Sequence, residues 1–207
     1  MEIKVLCHSS IKIISNKIIY ADPFKIKEKS NDADLIIITH SHYDHFSEED
    51  IKKIQKVETL ICITPDLLEK TISLGFKKEN ITIVEPNKEY SVENIKIRTI
   101  PAYNTNKKFH PKENNWVGYI LEIENKKIYI AGDTDITEEN KKVNCDIALV
   151  PIGGTYTMNA KEAAELINII QPTKVIPTHY AQIVGKKEDA IEFKNLVKSN
   201  IEVEIQI

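Results

Sequence analysis

The six residues His40-Ser-His42-Tyr-Asp44-His45 hold three of the chain's six histidines and an aspartate. They follow without a break on the apolar run Leu35-Ile-Ile-Ile-Thr39. A run that is short, continuous and β-branched reads as a buried strand. The polar cluster therefore sits where a strand ends and the chain turns. Neutral imidazoles and a carboxylate are the donors that Zn²⁺, Mn²⁺ or Fe take. Concentrated at one strand exit, they point to a metal site rather than to a polar turn whose histidines merely face water.

The first third of the chain is rich in short Ile/Val segments, and strands are expected at 2–7, 11–15, 17–21 and 35–39, with Ser15-Asn16 turning between the second and third. Ser47-Glu-Glu-Asp50 reads as a helix start, with Ser47 as N-cap and acids in the first turn, the helix running to about Lys56. A strand at 59–63 leads into a helix opened by Thr64-Pro65 and ended near Gly75. Strands follow at 81–84 and 95–100.

The second half repeats this grammar. A hairpin joins 116–123 to 127–131 around Asn125, 147–150 is an apolar buried strand, and Asn159 caps a helix to about Ile170. Residues 175–177 form a strand, 187–198 a last helix and 201–206 a closing strand. Strands precede helices in both halves, a β-rich α/β pattern. With 207 residues and no low-complexity linker, a single domain over 1–207 is expected.

Composition narrows the function. Hydrophobic residues make up 42% and charged residues 29%, as in ordinary globular proteins, and the formal net charge is -3. That balance is unlike the basic footprint of a nucleic-acid binder, so no nucleic-acid partner is expected. The Lys-rich stretches at 25–29 and 185–188 read as solvated faces. Cys7, Cys62 and Cys145 are widely spaced and form no CxxC pair, which argues against a disulfide framework and for a reducing compartment. The amino terminus lacks the apolar stretch of a signal peptide and no run approaches 18 apolar residues. The expected setting is cytoplasmic, without a membrane partner.

Two further strand ends carry donors. Ile128-Tyr-Ile-Ala131 leads into Gly132-Asp133-Thr134-Asp135, where Gly132 permits a tight bend. Val175-Ile-Pro-Thr178 leads into His179-Tyr180. Alone, Asp133 would read as a turn residue and His179 as a core histidine; with the 40–45 cluster, three strand ends present His, Asp and His groups on rigid elements.

With these pieces the chain resembles the metallo-β-lactamase superfamily. The matching residues are His40-x-His42-x-Asp44-His45, Gly132-Asp133-Thr134 and His179 after a late apolar strand. More narrowly it is similar to the single-domain metal-dependent hydrolases that include the ascorbate-6-phosphate lactonase-like and N-acyl-phosphatidylethanolamine phospholipase D-like branches. The narrower signals are Cys7-His8-Ser9-Ser10, Ala21-Asp22-Pro23-Phe24, Ala131-Gly-Asp-Thr-Asp135, Pro151-Ile-Gly-Gly154 and Thr178-His179-Tyr180.

The resemblance implies an αββα sandwich, two β-sheets with flanking helices, and a site for two divalent metal ions, Zn first and Mn or Fe as alternatives. By position, His40 and His42 would bind the first ion, Asp44, His45 and His179 the second, and Asp133 both. Asp22 matches a position that orients the motif loop, or is simply a turn acid before Pro23. The pattern expects another first-ion histidine where Pro101-Ala-Tyr103-Asn104 places Asn104. Either Asn104 ligates through its amide oxygen, or His110 loops back; imidazole is the better donor for a borderline metal, which favours His110.

Two ions about 3.5–4 Å apart share a water and lower its pKa towards neutrality. The function implied is a metal-dependent hydrolase in which a metal-bridging hydroxide attacks a small carbonyl (lactone or thioester) or phosphoester substrate, with Asp44 as the catalytic proton acceptor. A compact nuclease and a non-catalytic metal-binding protein with a partly degraded site are the alternatives. Residues 151–159 form a glycine-bearing loop that either meets an anionic substrate group or simply turns into the Asn159-capped helix. Tyr103, Trp116, Tyr156 and Tyr180 are candidate pocket residues, with Trp116 alternatively in the core.

Overall fold

Three antiparallel strands open the chain: β1 (Glu2–Cys7), β2 (Ser10–Ile14) and β3 (Ile18–Ala21). Parallel strands β4 (Leu35–Ile37), β5 (Leu60–Ile63) and β6 (Ile81–Ile83) then extend the sheet from β3 in chain order. The computed structural model describes all 207 residues, and this six-stranded mixed sheet belongs to the first of two units, Met1–Glu85 and Pro86–Ile207.

Helix α1 (Glu48–Ile54) lies between β4 and β5 in sequence and starts as its residues dictate. The Ser47 hydroxyl accepts the Asp50 N–H and donates to the Asp50 carboxylate at 2.8 Å. The helix expected from Pro65 begins as a 3₁₀ turn (Pro65–Leu67) and continues as α2 (Leu68–Ser73). Ile36, Ile38, Ile61 and Ile63 pack with Ile51, Ile54, Leu67 and Leu74 in one buried cluster, which is how the alternating side chains of the strands meet the apolar faces of the helices.

The second unit repeats the pattern. Strands β7 (Glu89–Val92), β8 (Ile95–Pro101), β9 (Val117–Ile123) and β10 (Lys126–Ile130) pair antiparallel. Parallel strands β11 (Ile147–Pro151), β12 (Lys174–Thr178) and β13 (Glu202–Val203) complete a seven-stranded sheet. Helices α3 (Ala160–Ile170) and α4 (Lys187–Leu196) bury Ala163, Ala164, Leu166, Ile167 and Phe193 in a cluster with Tyr129, Ala148, Val150 and Val175 of the sheet. The architecture is α/β, two mixed sheets with flanking helices, as expected.

Two differences have physical reasons, and the hairpin expected around Asn125 is found. The sequence reading omits β7, because Glu-Tyr-Ser-Val is half polar; it is the sheet's edge strand, reached through Glu93-Asn94, both left-handed (φ 52° and 64°). Glu124-Asn125 makes the same kind of turn between β9 and β10 (φ 51° and 60°), matching the twist of the flanking strands. The closing strand shortens to Glu202–Val203, and Ile205 and Ile207 pack instead against the core of their unit.

The parallel strands place the polar loops. Ala21 pairs with Ile37, and the Asp22 N–H donates to the Ile37 carbonyl (3.1 Å), so Asp22 and Thr39 leave the first sheet side by side. In the second sheet the Ala131 N–H donates to Leu149 and the Ile152 N–H to Thr178, each at 3.0 Å, so Asp133, Gly153 and His179 leave one edge together. These are the carboxyl ends of parallel strands, where α/β sheets carry their ligands.

Candidate metal centre

Each unit assembles its own set of donors. In the first, Asp22 is the organiser. Its carboxylate is buried and accepts the Thr39 N–H on Oδ1 (2.8 Å) and the Thr39 hydroxyl on Oδ2 (2.7 Å). The same Oδ2 lies 2.7 Å from Nδ1 of His45. A carboxylate can only accept, so His45 carries its proton on Nδ1 and presents the lone pair of Nε2.

The Thr39 hydroxyl proton is committed to Asp22. Its oxygen, 2.9 Å from Nδ1 of His40, therefore accepts from that nitrogen and leaves the lone pair of His40 on Nε2. Nε2 of His40 faces Nδ1 of His42 at 3.1 Å, and the rings of His40 and His45 lie 3.9 Å apart, centroid to centroid. Asp44 Oδ2 sits 3.8 Å from Nε2 of His45 and 3.3 Å from Nε2 of His8. A metal-ligating histidine typically gives its other ring N–H to a carboxylate or another oxygen acceptor, which fixes tautomer and ring orientation. Thr39 and Asp22 do this for His40 and His45.

His8 is the residue that sequence reasoning missed as part of the site. The stretch Cys7-His8-Ser9-Ser10 marks the segment, but nothing in it says where the imidazole points. The side chain is fully buried, and the backbone is left-handed (φ 56°) at the turn between β1 and β2. Asp22 (φ 46°) and, in the second unit, His179 (φ 57°) share that conformation. Non-glycine residues held there store strain that clusters at functional sites.

In the second unit one carboxylate oxygen gathers two imidazoles. Oδ2 of Asp133 lies 3.2 Å from Nε2 of His110 and 3.0 Å from Nε2 of His179, and all three side chains are buried. His110 reaches this point because the segment after β8 folds back. The Asn104 N–H donates to the His110 carbonyl (2.8 Å), and the His110 N–H donates to Asn104 Oδ1 (2.9 Å). That same Oδ1 lies 3.1 Å from Nδ1 of His110. Asn104 Nδ2 donates to the Tyr156 carbonyl (2.9 Å), which fixes the amide orientation and makes Oδ1 the acceptor. Of the two residues the sequence leaves open, His110 has its ring nitrogen beside Asp133, while the Asn104 oxygen faces His110.

Asp135 secures the rest of this loop. Its buried carboxylate accepts the Thr105 N–H (2.9 Å) and the Lys107 ammonium (2.6 Å). Trp116 is buried and meets the His110 ring edge-on, 5.7 Å between centroids. Gly153 backs His179: a Cβ there would run into the His179 carbonyl oxygen and lie 3.3 Å from its Nδ1.

One sequence reading changes, and one left open between two alternatives is decided. Tyr180 is a core residue, fully buried with its hydroxyl donating to the Ile207 carbonyl (3.1 Å), and does not line a pocket. The amides that start α3 are taken within the chain: Asn159 Oδ1 accepts from Lys161 and Glu162, and Glu162 accepts the Asn159 N–H. The loop 151–159 is thus the capped turn into α3. Tyr156 packs edge-on against the half-exposed Phe109 at 4.7 Å, and Tyr103 donates to Glu139 at 2.8 Å. Burial pushes the Cys62 and Cys145 thiols up to about 12, which leaves neither as a thiolate nucleophile at neutral pH.

Residues 2–179 match the family described as the β-lactamase superfamily domain, a span that carries every donor named above. The chain belongs to the metallo-β-lactamase superfamily. Among superfamily relatives, a UPF0173 metal-dependent hydrolase of Thermococcus onnurineus is 32% identical over 216 residues, covering 98% of this chain and 95% of that protein. One from Ligilactobacillus salivarius is 33% identical over 217 residues, covering 97% and 94%. A crystal structure of a candidate metal-dependent hydrolase from Parabacteroides distasonis superposes with a TM-score of 0.82 at 30% identity, over 98% of this chain and 91% of that one. Igni18, a metallo hydrolase from Ignicoccus hospitalis, shares the fold at 21% identity with a TM-score of 0.77, over 98% and 93%.

Proposed function

We propose that this chain hydrolyses a small carbonyl substrate (lactone or thioester) or a phosphoester at two divalent metal ions. Relatives matched over almost their whole length carry the name metal-dependent hydrolase, and the chain is an enzyme of that kind. The observation that carries the two-ion reading is the pair of imidazole nitrogens, on His110 and His179, facing one oxygen of Asp133. With Nδ1–H of His110 given to Asn104, Nε2 faces Oδ2 of Asp133 at 3.2 Å, and a cation between them would take both as ligands.

The donor set therefore fits a metal. By the positions the resemblance assigns, His40 and His42 would hold one ion, with His110 as the further imidazole, and Asp44, His45 and His179 the other, with Asp133 common to both. Imidazole and carboxylate favour Zn²⁺, with Mn or Fe as alternatives. When bound, such ions polarise the attacked oxygen and acidify a water.

The chain's own residues do the rest. Asp22, Thr39 and Asn104 lock the tautomers of His45, His40 and His110, so the donors need little rearrangement. Asp44, close to His8 and His45, is placed to take the proton released by the attacking water. No side-chain nucleophile is required. A small-molecule substrate and a reducing, cytoplasmic setting go with this reading; no helix is long and apolar enough to cross a membrane.

The test is a screen of lactones, thioesters and phosphodiesters with chelated and Zn- or Mn-reloaded protein. Turnover of one class only by the reloaded protein supports the reading. Turnover that survives chelation contradicts it.

A further inference from the structure

The geometry points to Asn104 as a positioning residue that turns His110 into a metal donor. This rests on the proposed role of His110. The resemblance expects an imidazole at position 104; the chain has there an asparagine whose main chain and side chain together make three hydrogen bonds with a histidine six residues later. The Asn104 N–H holds the His110 carbonyl, and Asn104 Oδ1 takes both the His110 N–H and its Nδ1–H.

Each bond does separate work. The main-chain bond from the Asn104 N–H to the His110 carbonyl and the bond from the His110 N–H to Asn104 Oδ1 close the loop 104–110, so that position 110 returns to the strand exit. The side-chain bond to Nδ1 fixes the tautomer and aims Nε2 at Asp133, 3.2 Å away. The amide cannot flip to present its NH₂, because Nδ2 is committed to the Tyr156 carbonyl. Asp135, by taking the Thr105 N–H and the Lys107 ammonium, holds the intervening residues against the same strand exit. A donor displaced along the sequence is thereby returned to one place in space, and Asn104 acts on the metal only through His110.

The experiment loads chelated full-length protein with Co²⁺ and follows its visible absorption and bound metal per chain, both independent of turnover. Wild type, His110→Ala, Asn104→Ala and Asn104→Asp are compared. Asn104→Ala should weaken Co²⁺ at one site by roughly 10–100-fold, the usual effect of removing such a supporting partner, while the other site is unchanged. Asn104→Asp keeps the acceptor for His110 but loses the donor to the Tyr156 carbonyl, so it should bind Co²⁺ more weakly than wild type yet clearly more tightly than His110→Ala and Asn104→Ala. That partial rescue separates positioning from a general loss of packing, and it carries the test alone if Asn104→Ala does not fold.

If His110→Ala weakens the site and Asn104→Ala binds as wild type, the positioning role is overturned. If Asn104→Asp weakens it as far as His110→Ala, the acceptor is not what matters and the proposal is again overturned. If His110→Ala itself leaves Co²⁺ binding unchanged, it is the donor role of His110 that fails.

Discussion

The carboxylate of Asp22 meets Nδ1 of His45 at 2.7 Å and at the same time takes the N–H and hydroxyl of Thr39. A residue next to the end of β3 thus fixes both the exit of β4 and the ring of His45, eight residues past the end of β4.

Asp22→Ala removes the acceptor for three buried donors. The expected loss of stability is about 1–3 kcal/mol, the desolvation penalty of unsatisfied groups. Metal affinity should fall by roughly 10–100-fold, because a supporting partner of a ligating histidine is gone. Chemical denaturation and a Zn²⁺ titration on the same preparation measure the two effects.

Gly153→Ala tests the support of His179 from behind. The added methyl meets the His179 carbonyl and must displace it, so metal binding should weaken. Asn159→Ala, six residues on, removes the cap of α3 and should lower stability by ~1 kcal/mol while leaving metal affinity as in wild type. Melting curves and metal titrations of both variants give opposite patterns if each residue acts as described.

Most of the fold was legible in the sequence, as were the His and Asp side chains that meet at the strand exits, because both rest on local signals. An apolar β-branched run followed at once by His40-x-His42-x-Asp44-His45 announces a strand exit with donors, and Gly132-Asp133 repeats the device. What was not legible depends on where side chains turn. Cys7-His8 gives no sign that a left-handed turn aims His8 at Asp44. The polar edge strand β7 is set by its hairpin partner rather than by its own pattern. The choice between Asn104 and His110 depends on a loop closed by hydrogen bonds between them, which ligand strength alone could not resolve.

Acid should destabilise the first unit through Asp50. Burial works to raise its pKa. Hydrogen bonds from the Lys53 ammonium, the Ser47 hydroxyl and the Lys25 N–H outweigh this and hold it below the ordinary carboxylate value. A depressed folded-state pKa gives stability that is full above the unfolded value, about 3.9, and lost as pH falls through the folded one. Asp50→Asn should therefore be less stable than wild type at pH 7, with the gap closing as the solution is acidified. Denaturation midpoints at pH 7 and in the acid range check the sign.

The metal content of the full-length chain tests the central claim most directly. Protein stripped by chelation, reloaded with Zn²⁺ and freed of excess metal is measured by elemental analysis, wild type beside Asp133→Ala. Two ions per wild-type chain are predicted. Asp133→Ala should lose at least one, and metal-dependent hydrolysis should fall by more than tenfold, beyond about 1.4 kcal/mol in barrier terms. Trace metal in the reloaded wild type, or two ions and near-normal turnover in Asp133→Ala, would contradict the account.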